Sequence, residues 1–329
     1  MSRGTRRFRR GLSVAAVAAA ASGIALSLTG TASAAPDRRV VIDTGQLIVS
    51  GTNRADEISL RVPAADTTVL EVEFGDGGKR TVKRSDFTQI QVNSKGGNDV
   101  VRIDFGAEVQ PATTVDTGSG NDKAFGGSGN ELFRTGTGND TVDGNRGADT
   151  ALLGNGSDTF IWDPGDGSDV IKGGRGQDTM LFNGAAAAER FVADANGRRL
   201  RFTRDVGNIV MDTDDVERVK LNTLGGADSV TVGDLRRTDV RRVDIDLGAQ
   251  LNSRGGDGAV DAVTVTGTNG KDRIKVSGSD GNVRVDGLSA EVRLKDAETT
   301  DTLTIDTLAA RDRVSTGKLA PNTIDLSIR

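Results

Sequence analysis

Apolar residues follow three rhythms along the chain. The first is continuous: residues 12–28 are an apolar run behind Arg3, Arg6, Arg7, Arg9 and Arg10, and Ala32-Ser33-Ala34 follows. A basic start, an apolar centre and an A-x-A site make a secretory signal peptide, with cleavage predicted after Ala34. The arginine pairs leave general and twin-arginine export both open. No later stretch is apolar for long enough to predict a transmembrane segment. The second rhythm is alternation. VLEVEF (residues 69–74), TQIQV (88–92) and VRVD (283–286) alternate apolar with polar residues, as half-exposed strands do. GDGG (75–78) and SDGN (279–282) read as hairpin turns.

The third rhythm is a repeat. Residues 117–181 read TGSGNDKAF, GGSGNELFR, TGTGNDTVD, GNRGADTAL, LGNGSDTFI, WDPGDGSDVI and KGGRGQDTML. The recurring acids are Asp122, Glu131, Asp140, Asp149, Asp158, Asp169 and Asp178, spaced 9, 9, 9, 9, 11 and 9 residues apart. Two residues after each stands Ala124, Phe133, Val142, Ala151, Phe160, Ile171 or Met180, all apolar. Glycine tolerates φ > 0, so the Gly-rich half of each unit can turn sharply. The other half is a short strand with its apolar residue inward.

This pattern resembles the G-G-x-G-x-D-x-U-x nonapeptide of the hemolysin-type (RTX) calcium-binding repeat family. The departures are Glu131 in place of Asp, Thr117, Thr135 and Leu153 at the first Gly, Asn145 at the second, and two extra residues in the 162–165 stretch. The resemblance implies an all-β, parallel β-roll or β-helix solenoid that binds Ca2+. Its ligands would be the seven acids and turn carbonyls near Gly118, Gly120, Gly127, Gly129, Gly136, Gly138, Gly147, Gly154, Gly156, Gly165, Gly167, Gly174 and Gly176.

Two nonapeptides complete one coil, so alternate turns stack about 4.8 Å apart. The acids then form two ladders: Asp122, Asp140, Asp158 and Asp178 on one side, and Glu131, Asp149 and Asp169 on the other. Carboxylates that close repel by about 1 kcal/mol per pair even in bulk water. A hard cation between rungs removes that repulsion, which predicts up to about five calcium ions, weakest beside Glu131.

Similar acid-x-apolar steps flank the array. The acids pair as Asp56/Asp99, Glu189/Asp228 and Asp272/Asp312, separated by 43, 39 and 40 residues. They suggest three copies of one strand-rich module that continue the solenoid with a hairpin excursion in each, Asp261 being the counterpart of Asp178. The expected organisation is a signal peptide at 1–34, a β module at 35–116, the array at 117–183, and further β modules at 184–250 and 251–329. Arg273 and Arg313 directly follow module acids and could pair with them in place of an ion; those turns are expected to be structural.

Composition narrows the chemistry. Removing five leader arginines and no acid takes the net charge from −5 to −10. An acidic chain disfavours nucleic acid and suits divalent cations. Cys, His and Tyr are absent and only 3% of residues are aromatic. There is thus no disulfide, no Ser-His or Cys-His nucleophile pair and no His-ligated zinc. The expected function is extracellular calcium binding with calcium-coupled folding of a non-enzymatic scaffold, whose partners could be cell-surface or wall polymers. One alternative is a calcium-dependent, polysaccharide-acting parallel β-helix enzyme, with Asp214, Asp215 and Arg218 or Lys271, Asp272 and Arg273 as candidate groups. Another is a metal-free β-solenoid adhesin. Trp162, the only Trp, is a core residue or a sugar-stacking platform.

Overall fold

The computed structural model describes residues 38–251, 255–308 and 312–329. The signal peptide read over residues 1–34 lies outside them. Each nonapeptide yields one strand of a few residues, too short to persist alone, and register holds it in place. Successive strands go to opposite sheets. Phe133 pairs in parallel with Val115 and Ala151 on one sheet. Val142 pairs with Ala124 and Phe160 on the other. Among the described residues these ladders extend into two 14-stranded sheets, with residues from the first strand to the last in one continuous β-solenoid.

Alternation builds the core between the sheets. The seven apolar residues that follow the acids are each no more than 1% exposed. Burying a Val, Ile, Phe or Met side chain contributes about 1.5–3 kcal/mol. The insertion after Trp162 lengthens one turn, and the acid-to-acid step grows from 18 to 20 residues without breaking the stack. Trp162 is core: it is fully buried, stacks on Phe182 at 4.0 Å and donates its indole N–H to the Gly167 carbonyl at 2.7 Å. Nothing of the ring is left to stack on a sugar.

Three antiparallel excursions thicken the solenoid. Glu57–Arg61, Val69–Phe74 and Lys79–Lys83 close an edge of one sheet. Arg190–Asn196, Arg199–Arg204 and Ile209–Asp214 are spliced between parallel strands of the other. Arg273–Ser279, Asn282–Asp286 and Glu291–Lys295 do the same in the first sheet. GDGG and SDGN sit at hairpin tips, as their sequences predict. Each excursion adds buried side chains, including Leu70 and Val72, Phe191 and Phe202, and Val276 and Val285.

Candidate metal centre

Each array acid stands where a turn enters a strand, so its side chain points into the end of the coil. All seven are at most 3% exposed. They are joined by one repeated hydrogen bond: the backbone N–H of an acid donates to a carboxylate oxygen of the acid one coil later. On one side the bonds run Asp56 to Asp99 (2.7 Å), Asp99 to Asp122 (2.7 Å), Asp122 to Asp140 (2.8 Å), Asp140 to Asp158 (2.8 Å), Asp158 to Asp178 (2.9 Å) and Asp178 to Glu217 (2.8 Å). On the other, Glu131 donates to Asp149 (2.6 Å) and Asp149 to Asp169 (2.8 Å). The structure therefore brings each set of sequence-predicted acids together, and it extends the first ladder at both ends through Asp99 and Glu217.

A rung uses one carboxylate oxygen. The second is buried and has no hydrogen-bond partner in Asp99, Asp122, Asp140, Asp149, Asp158, Asp169 and Asp178. Burial pushes these carboxyls up: Asp149 to about 9, Asp158 and Asp169 to about 7, and Asp99, Asp140 and Asp178 to about 6. The rung N–H pulls each back, and neighbouring carboxylates raise most of them further. A buried oxygen left unpaired costs about 1–3 kcal/mol, more when charged.

The turns bring backbone oxygen close. Gly136 and Gly138 have φ of 90° and 134°. A Cβ added at Gly138 would lie 1.7 Å from the Gly120 carbonyl oxygen, and one at Gly156 would lie 1.5 Å from that of Gly138. Gly129, Gly147 and Gly154 likewise aim their carbonyls at the next stacked glycine, at Gly147, Gly167 and Gly174. The carbonyls of Gly118, Gly127 and Gly136 accept inter-turn N–H bonds. Gly167 and Gly176 accept side-chain N–H groups, from Trp162 and Gln177. Gly165, in the insertion, has open space around it. Where a turn lacks glycine the left-handed backbone persists, at Lys95 (φ 82°), Asn145 (57°) and Leu224 (70°). That conformation costs a bulky residue about 1–2 kcal/mol.

The family model of the RTX calcium-binding nonapeptide repeat, four copies, matches residues 113–138, 125–160 and 165–184. The array consists of RTX calcium-binding nonapeptide repeats. No curated protein matches the chain. Among solved structures it is similar to the extracellular lipase LipA from Serratia marcescens, at 14% identity and a TM-score of 0.16, over 62% of this chain and 43% of that one. The chain thus spans less than half of that lipase.

The RTX turns fit a calcium ion. They present unpaired carboxylate oxygens and stacked turn carbonyls, all oxygen donors of the kind calcium takes at 2.3–2.6 Å.

Not every rung is open. Glu131 accepts the Gln110 side-chain amide on one oxygen and the Gly127 N–H (2.9 Å) on the other. It is a ladder's first member, so no earlier rung donates to it. The other first members are closed in the same way. Asp56 accepts from Arg38 (2.6 Å) and from the Thr52 N–H (2.5 Å). Glu189 accepts from buried Arg204 and from the Ala185 N–H (2.8 Å). Asp272 takes both the N–H and the hydroxyl of Thr268. In each case the closing N–H lies four residues before the acid.

The acids Asp99, Asp228 and Asp312, each the second member of a module pair, receive the rungs and keep an unpaired oxygen. Arg273 and Arg313, candidate partners of module acids, are instead exposed on the outer strand face. The cations that reach buried acids are Arg38 and Arg204, which lie 18 and 15 residues from their partners. Asp261 stands between Asp228 and Asp301, on the opposite side from its supposed counterpart Asp178.

A second rail escapes the acid pattern. The side-chain oxygens of Asn98, Asn121 and Asn139 accept the N–H groups of Asn121, Asn139 and Ser157 at 2.7–2.8 Å. Asn130 does the same for Ala148 at 2.9 Å. The signal was present in the sequence as Asn immediately before the acid.

Proposed function

We propose that the chain is an exported protein whose RTX ladders fold as they bind calcium, giving a rigid scaffold for surface interaction rather than an enzyme. The observation that carries this is the run of buried carboxylate oxygens without partners at Asp99, Asp122, Asp140, Asp149, Asp158, Asp169 and Asp178. Like charges buried in file oppose stacking. A bound calcium ion supplies the positive charge that offsets this repulsion, and its binding free energy appears as folding free energy.

The ligands would be those seven Asp side chains with the stacked turn carbonyls. We count about five ions on this reading, with a gap beside Asp99 in place of the one beside Glu131, whose oxygens the protein already fills. Extracellular calcium modules often bind near 10⁻⁴–10⁻³ M, roughly where export from a calcium-poor interior would trigger folding. The outer sheet face carries an open cleft lined by Arg218, Lys220, Asp244, Arg284 and Arg293, a charged surface suited to cell-surface or wall polymers. Of the candidate catalytic groups, Asp272 is held by Thr268 and Arg218 by Asp244 (2.5 Å), which favours structural roles.

Circular dichroism of the mature chain in calcium and then in chelator tests the coupling. The β signal should rise with calcium and fall in chelator. Asp140→Ala and Asp158→Ala should each raise the calcium midpoint by about tenfold, or about 1.4 kcal/mol. Identical spectra and melting in both media would refute the proposal.

A further inference from the structure

Register sets charged side chains in rows on the outer face of one sheet. Lys220 pairs with Asp244, Asp244 with Arg293 and Arg293 with Arg284, so one row crosses four neighbouring strands. Beside it runs a second row of Asn222, Asp246 and Lys295. Each of these residues alternates with a buried one, so both rows face outward. Neighbouring strands lie about 4.8 Å apart, which puts Lys220 and Arg284 roughly 14 Å from each other. Residues 277–280 and Asn282 of the third excursion line the same open cleft, whose volume is about 920 Å3.

The cleft differs in sign from the chain around it. Arg218, Lys220, Arg284, Arg293 and Lys295 line it against only three acids, Asp244, Asp246 and Asp280. The chain as a whole carries −5. Two of those acids are already engaged, Asp244 by Arg218 (2.5 Å) and Asp246 by Lys295 (2.9 Å). Arg284 and Arg293 share Glu291 at 2.9 and 2.5 Å. A guanidinium has five N–H donors, so each arginine is held in place and keeps donors to spare. Lys220 is half-buried and has no hydrogen-bond or ion-pair partner among the described residues. No aromatic ring lines the cleft, so neither a neutral sugar nor a nucleobase finds a stacking platform there. Ser277, Ser279 and Asn222 supply hydroxyl and amide groups instead.

We infer that this cleft binds a carboxylate-bearing polysaccharide, a polymer containing uronic acid, laid across the strands along the row from Lys220 to Arg284. The inference rests on the reading of the chain as a surface-interacting scaffold and names the chemistry of its partner. Guanidinium forks match carboxylates in pairs of parallel hydrogen bonds. The hydroxyl and amide groups between them meet sugar hydroxyls. A row of roughly 14 Å is longer than a single small anion can fill. The small excess of positive charge suits a sparsely charged polymer. A phosphate polymer, with charge at every linkage, would press against Asp244 and Asp246.

The test is calorimetric binding to the mature chain at fixed millimolar calcium, with hyaluronate, a polyglycerol phosphate, dextran and single-stranded DNA as probes. Hyaluronate should bind, and more weakly as salt rises. Lys220→Gln should weaken it by about tenfold, and Lys220→Gln with Arg284→Gln by more. Dextran should not bind, and the phosphate polymer and DNA should bind at least about tenfold more weakly than hyaluronate. Lys220→Gln breaks no bond in the fold, so its circular dichroism should match the parent and its loss of affinity reports on the cleft alone. Absent hyaluronate binding, or binding indifferent to Lys220→Gln, overturns the inference. If another probe binds instead and the same variants weaken it, the carboxylate assignment falls while the surface reading stands. If no probe binds, both fall.

Discussion

Asp158, inside a ladder, and Glu189, at the start of one, lie in two regions of the solenoid and meet burial in opposite ways. In the array, Asp158 is 1% exposed, accepts one rung and leaves an oxygen unpaired. In the second module, Glu189 is 3% exposed, and Arg204 and the Ala185 N–H fill its carboxylate. The longer glutamate reaches a guanidinium brought over by an antiparallel strand. The array has one short strand per unit and no such excursion to deliver a cation. Where the fold carries its own counter-charge the carboxylate is filled; where it does not, one oxygen is left without a protein partner.

The largest effect should come from removing calcium. Hydrogen exchange in chelator should accelerate across residues 117–181 and much less across 190–214 and 273–295, whose strands are held by antiparallel pairing. Uniform acceleration along the chain would erase the contrast. Next is Arg204→Ala, which strands a buried glutamate and should cost about 3–5 kcal/mol of stability. That loss should be the same with and without calcium by thermal melting, unlike the calcium-dependent loss in Asp158→Ala.

Acidity sharpens the contrast at intermediate size. The folded array carboxyls hold protons to higher pH than their unfolded value of 3.8, with Asp158 and Asp169 at about 7 and Asp149 at about 9. The metal-free fold therefore binds more protons than the unfolded chain. Its melting temperature should be highest near the unfolded value and fall as pH rises towards 9. Calcium affinity should rise over the same window, because binding displaces those protons. A metal-free melting temperature that climbs with pH would contradict the tighter proton binding of these groups in the fold. The smallest effect is expected for Glu131→Gln. With both oxygens already engaged by the protein, its loss of charge should leave the calcium midpoint within about twofold.

Much of this was legible in the sequence. Nine-residue spacing with an apolar residue two after each acid defines a coil of two strands. The stacking of Asp122 under Asp140 and Asp158 is what that period requires. The module pairs Asp56/Asp99, Glu189/Asp228 and Asp272/Asp312 were equally readable, and each is a direct hydrogen bond. The partners of the first rungs were not. Gln110 reaches Glu131 across 21 residues and Arg204 reaches Glu189 across 15, distances set by loops and hairpins that carry no period. Reading Arg273 as a partner of Asp272 failed because adjacent residues in a strand point to opposite faces. The asparagine rail carries no charge signal in the sequence: Asn121 and Asn139 supply only amide oxygens.

The rung also has a direction. Every amide in a ladder looks toward the later coil, and every carboxylate reaches back to the earlier one. An added coil of 18 residues would bring its own donor and acceptor and leave the rest of the file undisturbed. A shift of one residue would swap inward and outward side chains in the strand that follows. Such an array can lengthen or shorten over generations only by whole coils, and its N-terminal member needs a capping partner such as Gln110 or Arg38 whatever the length.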